Sequence, residues 1–291
     1  MKTSLKFLYT GIASLVAVTG FSIIPAIAEL ANFDRDNNSP NTVTGYPPAT
    51  GGFPRWYTET SNRGLKLDLC VDAKNPLCLA APLPNPNQPL SFPDNFPDEA
   101  FWWTTEAETT TTPGGAKALL VLATEAAFAN GDPVDGDQIT FNRTRIRVLG
   151  GLKPNVKYRI TYPYGVKVLT ATQKDPSKPA TINYTEDFGC AASPITICDF
   201  GTLLVAKGRG TVTNPIGKPW LTWDSSLPAP PAGYVGDPNV QHKITGSPFG
   251  TNFFRVQELN AAGTPVRQIA FTNLFSVSGK ISTSTAPATT P

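Results

Sequence analysis

The sequence predicts an all-β fold, a mostly antiparallel β-sandwich with long proline-rich loops. Three observations predict it. The 291 residues include 29 prolines and 24 glycines, a load of turn formers that a helical bundle does not tolerate. From Val156 to Val168 apolar and polar residues alternate with period two, the pattern of a sheet buried on one face. No long stretch repeats its apolar residues with helical spacing. With 40% apolar residues the chain can build a core.

The elements follow in order. Residues 1–28 read as a secretory signal: Lys2 and Lys6, an apolar run from Phe7, and the small-x-small ending Ala26-Ile27-Ala28. An uncleaved anchor is the competing reading; the ending favours cleavage, after which no membrane span is expected and the protein is secreted or held at the cell surface. Residues 29–55 read as an extended arm, with turn chemistry at Asp34–Pro40 and at Tyr46-Pro47-Pro48. The β-domain is expected from 56 to 280. Inside it, residues 79–99 are irregular. Prolines at 82, 84, 86, 89, 93 and 97 oppose sheet pairing, and Phe92 and Phe96 are expected to pin the stretch to the body. Ala100–Thr111 and Ala116–Ala129 flank Pro113-Gly114-Gly115 as a hairpin. The second arm is helix-compatible on propensity; the short linker and threonine-rich partner favour a strand. Ile139–Leu149 is the next strand, and the change of apolar parity between Phe141 and Ile146 predicts a bulge. Pro163 and Gly165 divide Val156–Val168 into two strands. Ile269, Phe271, Phe275 and Val277 alternate near the end, and residues 281–291 read as a disordered Thr/Pro/Ala tail.

Cys70, Cys78, Cys190 and Cys198 form an even set in an exported chain, which predicts disulfides. Three pairings are open. The repeated Cys-x7-Cys spacing favours 70–78 and 190–198, each stapling a short proline-bearing loop. Zinc is disfavoured by the wide spacing and by the presence of one histidine in the chain, His242.

Leu152-Lys-Pro154-Asn-Val-Lys-Tyr158-Arg-Ile160 resembles the Leu-x-Pro-x-x-x-Tyr-x-Val segment of fibronectin type III and other immunoglobulin-like domains. That resemblance implies an immunoglobulin-like sandwich in which Leu152, Pro154 and Tyr158 close a corner, with the tyrosine hydroxyl on backbone. The segments Pro97–Trp103 and Gly246–Phe254 resemble those of a group of uncharacterised secreted proteins; this resemblance implies no activity.

Composition narrows the function. Removing Lys2 and Lys6 with the signal leaves 22 basic against 22 acidic residues, which gives no reason to expect a nucleic-acid partner. A single histidine excludes multi-histidine metal catalysis, and no Gly-x-Ser-x-Gly elbow accompanies it. Glu106 and Glu108 share a strand face, and Glu125 could come opposite them across the hairpin. Two such carboxylates, with Trp102 and Trp103 to stack on sugar rings, would suit a carbohydrate-active hydrolase or a sugar-binding platform. The duller reading pairs these acids with Arg143, Arg145 and Arg147, which share one face of the next strand. Asp132, Asp135 and Asp137 concentrate oxygen ligands in one turn, a weak calcium candidate without the EF-hand spacing. Asn37, Asn142 and Asn183 begin Asn-x-Ser/Thr triplets. The expectation is a non-enzymatic extracellular or cell-surface binding or structural module, with a polysaccharide or a surface protein as partner; the alternative is the hydrolase with paired glutamates.

Overall fold

The computed structural model describes residues 30–34, 50–59, 64–190, 198–204, 219–226 and 228–283. The signal segment, much of the arm including Asn37, and residues 284–291 lie outside them. In chain order the strands are β1 (Leu30–Phe33), β2 (Trp56–Glu59), β3 (Lys66–Asp68), β4 (Ala80–Ala81), β5 (Glu99–Thr110), β6 (Lys117–Phe128), β7 (Gln138–Leu152) and β8 (Lys157–Tyr162). They continue with β9 (Gly165–Thr170), β10 (Ala180–Gly189), β11 (Thr222–Trp223), β12 (His242–Thr245), β13 (Phe254–Leu259), β14 (Pro265–Thr272), β15 (Leu274–Ser278) and β16 (Lys280–Ile281). A 3-10 turn spans Phe200–Leu203, and the described residues contain no α-helix.

The fold is all-β, with every strand pair antiparallel, and it is laid out in three sheets. The first has the order β1-β2-β3-β16, the second β10-β7-β6-β5-β15-β12-β11 with β4 beside β5, and the third β14-β13-β8-β9. One hydrophobic cluster joins them, with Tyr57 and Leu67 from the first sheet, Trp102, Leu120 and Ile146 from the second, and Tyr158 and Val256 from the third. The stretch read as an arm contributes β1, whose Leu30 and Phe33 are buried, and the stretch read as a tail begins with Ile281 paired to Leu67.

The central hairpin forms where the sequence places it. Thr111 closes it: its N–H donates to Ala116 O at 2.8 Å and its Oγ1 accepts from Ala116 N–H at 3.1 Å. The helix-compatible arm is a strand because β5 and β7 flank it and take up its backbone groups on both edges. The bulge expected between Phe141 and Ile146 is not there: β7 pairs with β6 without a shift from Gln138 to Val148. Parity changes because this end of the sheet is covered on both sides. Phe141 is buried on the arginine-bearing face beneath the Arg143 guanidinium, 4.8 Å from its ring, while Ile146 and Val148 point to the other face.

The register shift lies instead in β5, between Phe101 and Trp103. Phe101 stands opposite Glu125 and Trp103 opposite Thr124, so two residues on β5 meet one on β6. This extra residue lets adjacent tryptophans both enter the core, where simple alternation would send one outward. After the third-sheet hairpin the alternation also departs from expectation. Tyr162 pairs with Gly165 across a two-residue turn, so Ile160 shares a face with Lys167, and Val166 and Val168 stand 54% and 52% exposed. The turn couples even positions of β8 to odd positions of β9, which sends these valines to the outer side.

Both disulfides take the local pairing, Cys70–Cys78 and Cys190–Cys198. Phe92 and Phe96 pack on Phe128, anchoring the proline-bearing stretch, although Ala80–Ala81 does pair with β5 just ahead of Pro82. Tyr158 is fully buried, and its hydroxyl accepts the Lys153 N–H at 2.8 Å.

Candidate functional site

Between the first sheet and the proline-bearing stretch lies a cleft of about 760 Å³, within the range of small-ligand sites. Its floor is the end of β3 and β16. Lys66-Leu67-Asp68-Leu69 alternates so that Leu67 and Leu69 turn into the core, which leaves Asp68 facing the cleft. Asp68 is only 9% exposed, and its Oδ1 has no hydrogen-bond partner. Lys280 stands directly opposite it on β16, on the same face.

One wall is the turn after Cys70. The Cys70–Cys78 disulfide ties its ends, and Asp72 Oδ1 accepts the Lys74 N–H at 2.9 Å, fixing the turn that carries Lys74. The opposite wall is the loop around Asn85. Asn95 holds it: its Oδ1 accepts Asn85 N–H at 2.7 Å, and its Nδ2 donates to Asn85 O, Gln88 O and Pro89 O. This one buried amide replaces the ladder that the prolines forbid. Arg55 and Asp34 complete the rim, with Asp34 Oδ2 accepting the Arg55 N–H at 3.2 Å. Three carboxylates (Asp34, Asp68, Asp72) and three cations (Arg55, Lys74, Lys280) therefore line the cleft, and no aromatic ring does.

The residues singled out from the sequence lie elsewhere. Trp102 is 0% and Trp103 2% exposed; their indole N–H groups donate to Pro54 O at 3.1 Å and Leu221 O at 2.9 Å. In this conformation they present no ring face to solvent, and Trp220, with its N–H on Thr124 Oγ1, is buried as well. Glu106 and Glu108 do share a face of β5, but Val121 and Leu119 stand opposite them. Glu125 lies four residues along β6 from Val121, about 13 Å at strand rise, beyond the separations of paired glycosidase carboxylates. The hairpin register, fixed at the Thr111 turn, sets this distance.

The three glutamates have separate fates. Glu108 pairs with Lys117 at the exposed edge. Burial raises the Glu106 carboxyl above the ordinary range, with Lys117 opposing. Glu125 is buried and its carboxyl is pushed up to about 8 by desolvation, against the pull of Arg143 at 3.1 Å. Arg143 divides itself: Nε and Nη2 hold Asp187 at 2.8 and 2.9 Å, and only Nη1 reaches Glu125. Arg145 shares this face, and desolvation together with Arg143 and Arg147 lowers its pKa.

Asp132 and Asp135 are exposed, and Asp137 accepts from Asn130 Nδ2 at 2.6 Å. Among the described residues no three His, Cys, Asp or Glu side chains form a group able to hold a metal ion, so the three aspartates do not converge as a calcium loop. His242 stacks on Trp223 with ring centroids 4.3 Å apart; Nδ1 contacts Lys243 O, and Nε2 has no partner to serve as nucleophile or acid. Asn142 is buried against Thr124, while Asn183 is exposed on β10. Sequence reasoning missed the cleft because its residues come from five separate segments. The one local signal was an aspartate between two leucines just before Cys70. Among the described residues no helix is long and apolar enough to cross a membrane. No family model matches the chain, and no curated protein and no solved structure matches it either.

Proposed function

We propose that the chain is an exported, non-enzymatic binding module, acting outside the cell or at its surface, and that it takes its ligand in the cleft floored by Asp68. One observation carries this reading: a carboxylate nine-tenths buried and joined to no cation among the described residues, at the bottom of a preformed and disulfide-braced cleft. Leaving a buried carboxylate without a cation costs free energy, and a ligand that donates to its accessible edge recovers part of it. The signal-like first 28 residues and the two disulfides support an exported setting. The hydroxyl of Tyr158 on Lys153 N–H supports the immunoglobulin-like reading of the fold.

The test is a pull-down of the mature protein on insoluble polysaccharides and on immobilised surface-protein extract, with the supernatant assayed for lost protein and for released sugar. Wild type is expected to be depleted without sugar release, and Asp68→Asn to remain in solution. Sugar release that disappears in Glu106→Gln or Glu125→Gln would replace this reading with the hydrolase. Equal depletion of wild type and Asp68→Asn would move the binding site out of the cleft.

A further inference from the structure

We infer that the cleft recognises an uncharged, hydroxyl-rich ligand, a neutral glycan segment, through hydroxyls seated between Asp68 and Lys280; this rests on the binding reading above. The pair is unusual in what it does not do. Asp68 and Lys280 are direct cross-strand neighbours that both line the cleft, with Cβ atoms expected about 5 Å apart, yet no ion pair joins them. The carboxylate can only accept hydrogen bonds and the ammonium can only donate them. A ligand group that bridges them must do both. A hydroxyl does so with one atom, donating to Asp68 and accepting from Lys280.

The rest of the lining has the same character. Its three acidic and three basic side chains balance, so neither a polyanion nor a polycation gains from the cleft as a whole. Leu90, half-buried on the wall, supplies apolar surface for the C–H face of a sugar, without the aromatic ring on which many sugar sites rely. The grip is thus set by hydrogen bonds, and selectivity follows from which hydroxyls reach Asp68. A site built around hydroxyls rejects analogues that lack them, because its buried polar groups are then left unpaired. A peptide with closely spaced basic and acidic side chains is the competing occupant, because it would satisfy the same two charges separately.

Backbone amide NMR of the mature protein, titrated with soluble xylo-, cello- and manno-oligosaccharides and with short peptides of alternating Lys and Glu, tests this. A neutral oligosaccharide is expected to move the amides of Asp68, Lys280 and the Asp72–Lys74 turn. Asp68→Asn and the exposed-site variant Lys280→Met should each weaken it by about tenfold, the worth of one charge-assisted hydrogen bond. Raising salt about tenfold should leave the affinity within about a factor of two, since no ligand charge is screened. Shifts at the same amides from the peptides alone, lost at high salt, would keep the cleft as the binding site and overturn the glycan. Oligosaccharide shifts elsewhere, unchanged in both variants, would overturn the placement. No shift at these amides from any titrant would overturn both this inference and the binding reading beneath it.

Discussion

Glu125 and Glu258 are both buried glutamates beside an arginine, and their carboxyls move in opposite directions. Glu258 receives Lys153 Nζ at 2.6 Å and both Nε and Nη2 of Arg267, so hydrogen bonding to Lys153, then Arg267, holds its pKa below the ordinary value against desolvation. Glu125 receives one N–H from an arginine already committed to Asp187, and burial wins. The consequences for stability have opposite signs. Glu125 is protonated more readily folded than unfolded, so its contribution is complete below pH 4.5 and is lost as pH rises toward about 8. Glu258 contributes above the ordinary glutamate range and loses its contribution as pH falls through its lowered value. Glu125→Gln should therefore flatten the decline between about pH 5 and pH 8, where one proton is worth up to about 1.4 kcal/mol per pH unit. Urea midpoints measured across that interval check it. Parallel declines in wild type and variant would show that Glu125 is ionised in the fold.

At the scale of elements, long periodic stretches were legible in the sequence and short strands were not. The β5–β6 hairpin and the β8–β9 pair were readable because turn residues punctuate alternation over many positions. β2, β3 and β16 have four, three and two residues, too short to show a period; β2 and β3 pair locally, and the sheet is completed only when β16 pairs with β3 across most of the chain. The tryptophan bulge in β5 was hidden for another reason: a bulge replaces alternation with adjacency, which from sequence looks like a conflict between two faces. One glycine holds the central hairpin against β7. Gly151 has φ +72°, and a Cβ there would fall on Thr111 Oγ1 and 2.7 Å from Pro113 O, the residues that make the hairpin turn. Gly151→Ala should destabilise the protein by about 2 kcal/mol or more, backbone strain plus a displaced turn. Thermal unfolding will register this; a shift below about 0.5 kcal/mol would mean the turn yields freely. Cys70→Ala with Cys78→Ala should cost about 2–3 kcal/mol through the released loop, while also freeing the wall that carries Asp72 and Lys74.

On the scale of the whole molecule, the first sheet is where the two ends of the described chain meet. β1 and β16 are its outer strands, and Asp68 on β3 faces a lysine from the far end of the sequence. This arrangement explains why the cleft could not be read from any local motif: its floor exists only once residue 280 lies beside residue 68. It also makes the cleft a reporter of complete folding. Ile281 N–H donates to Gly233 O at 2.8 Å and Ser282 N–H to Lys66 O at 2.8 Å, and Val235 N–H reaches Gly279 O at 3.0 Å. Tyr234, bridged to Lys280, also accepts from Asn75 Nδ2 of the disulfide loop. The last strand thus links the sheet, the 231–236 turn and the wall of the cleft. Ending the chain after Ser278 removes three of these backbone bonds and buried Gly279, for an expected loss of about 2–4 kcal/mol. The larger effect should fall on binding, because Lys280 goes and the edge of β3 opens to water. A truncated protein that keeps the wild-type melting curve but no longer binds in the cleft would assign β16 to recognition alone. Loss of both in parallel would make the closing strand structural first, with the cleft formed as its consequence.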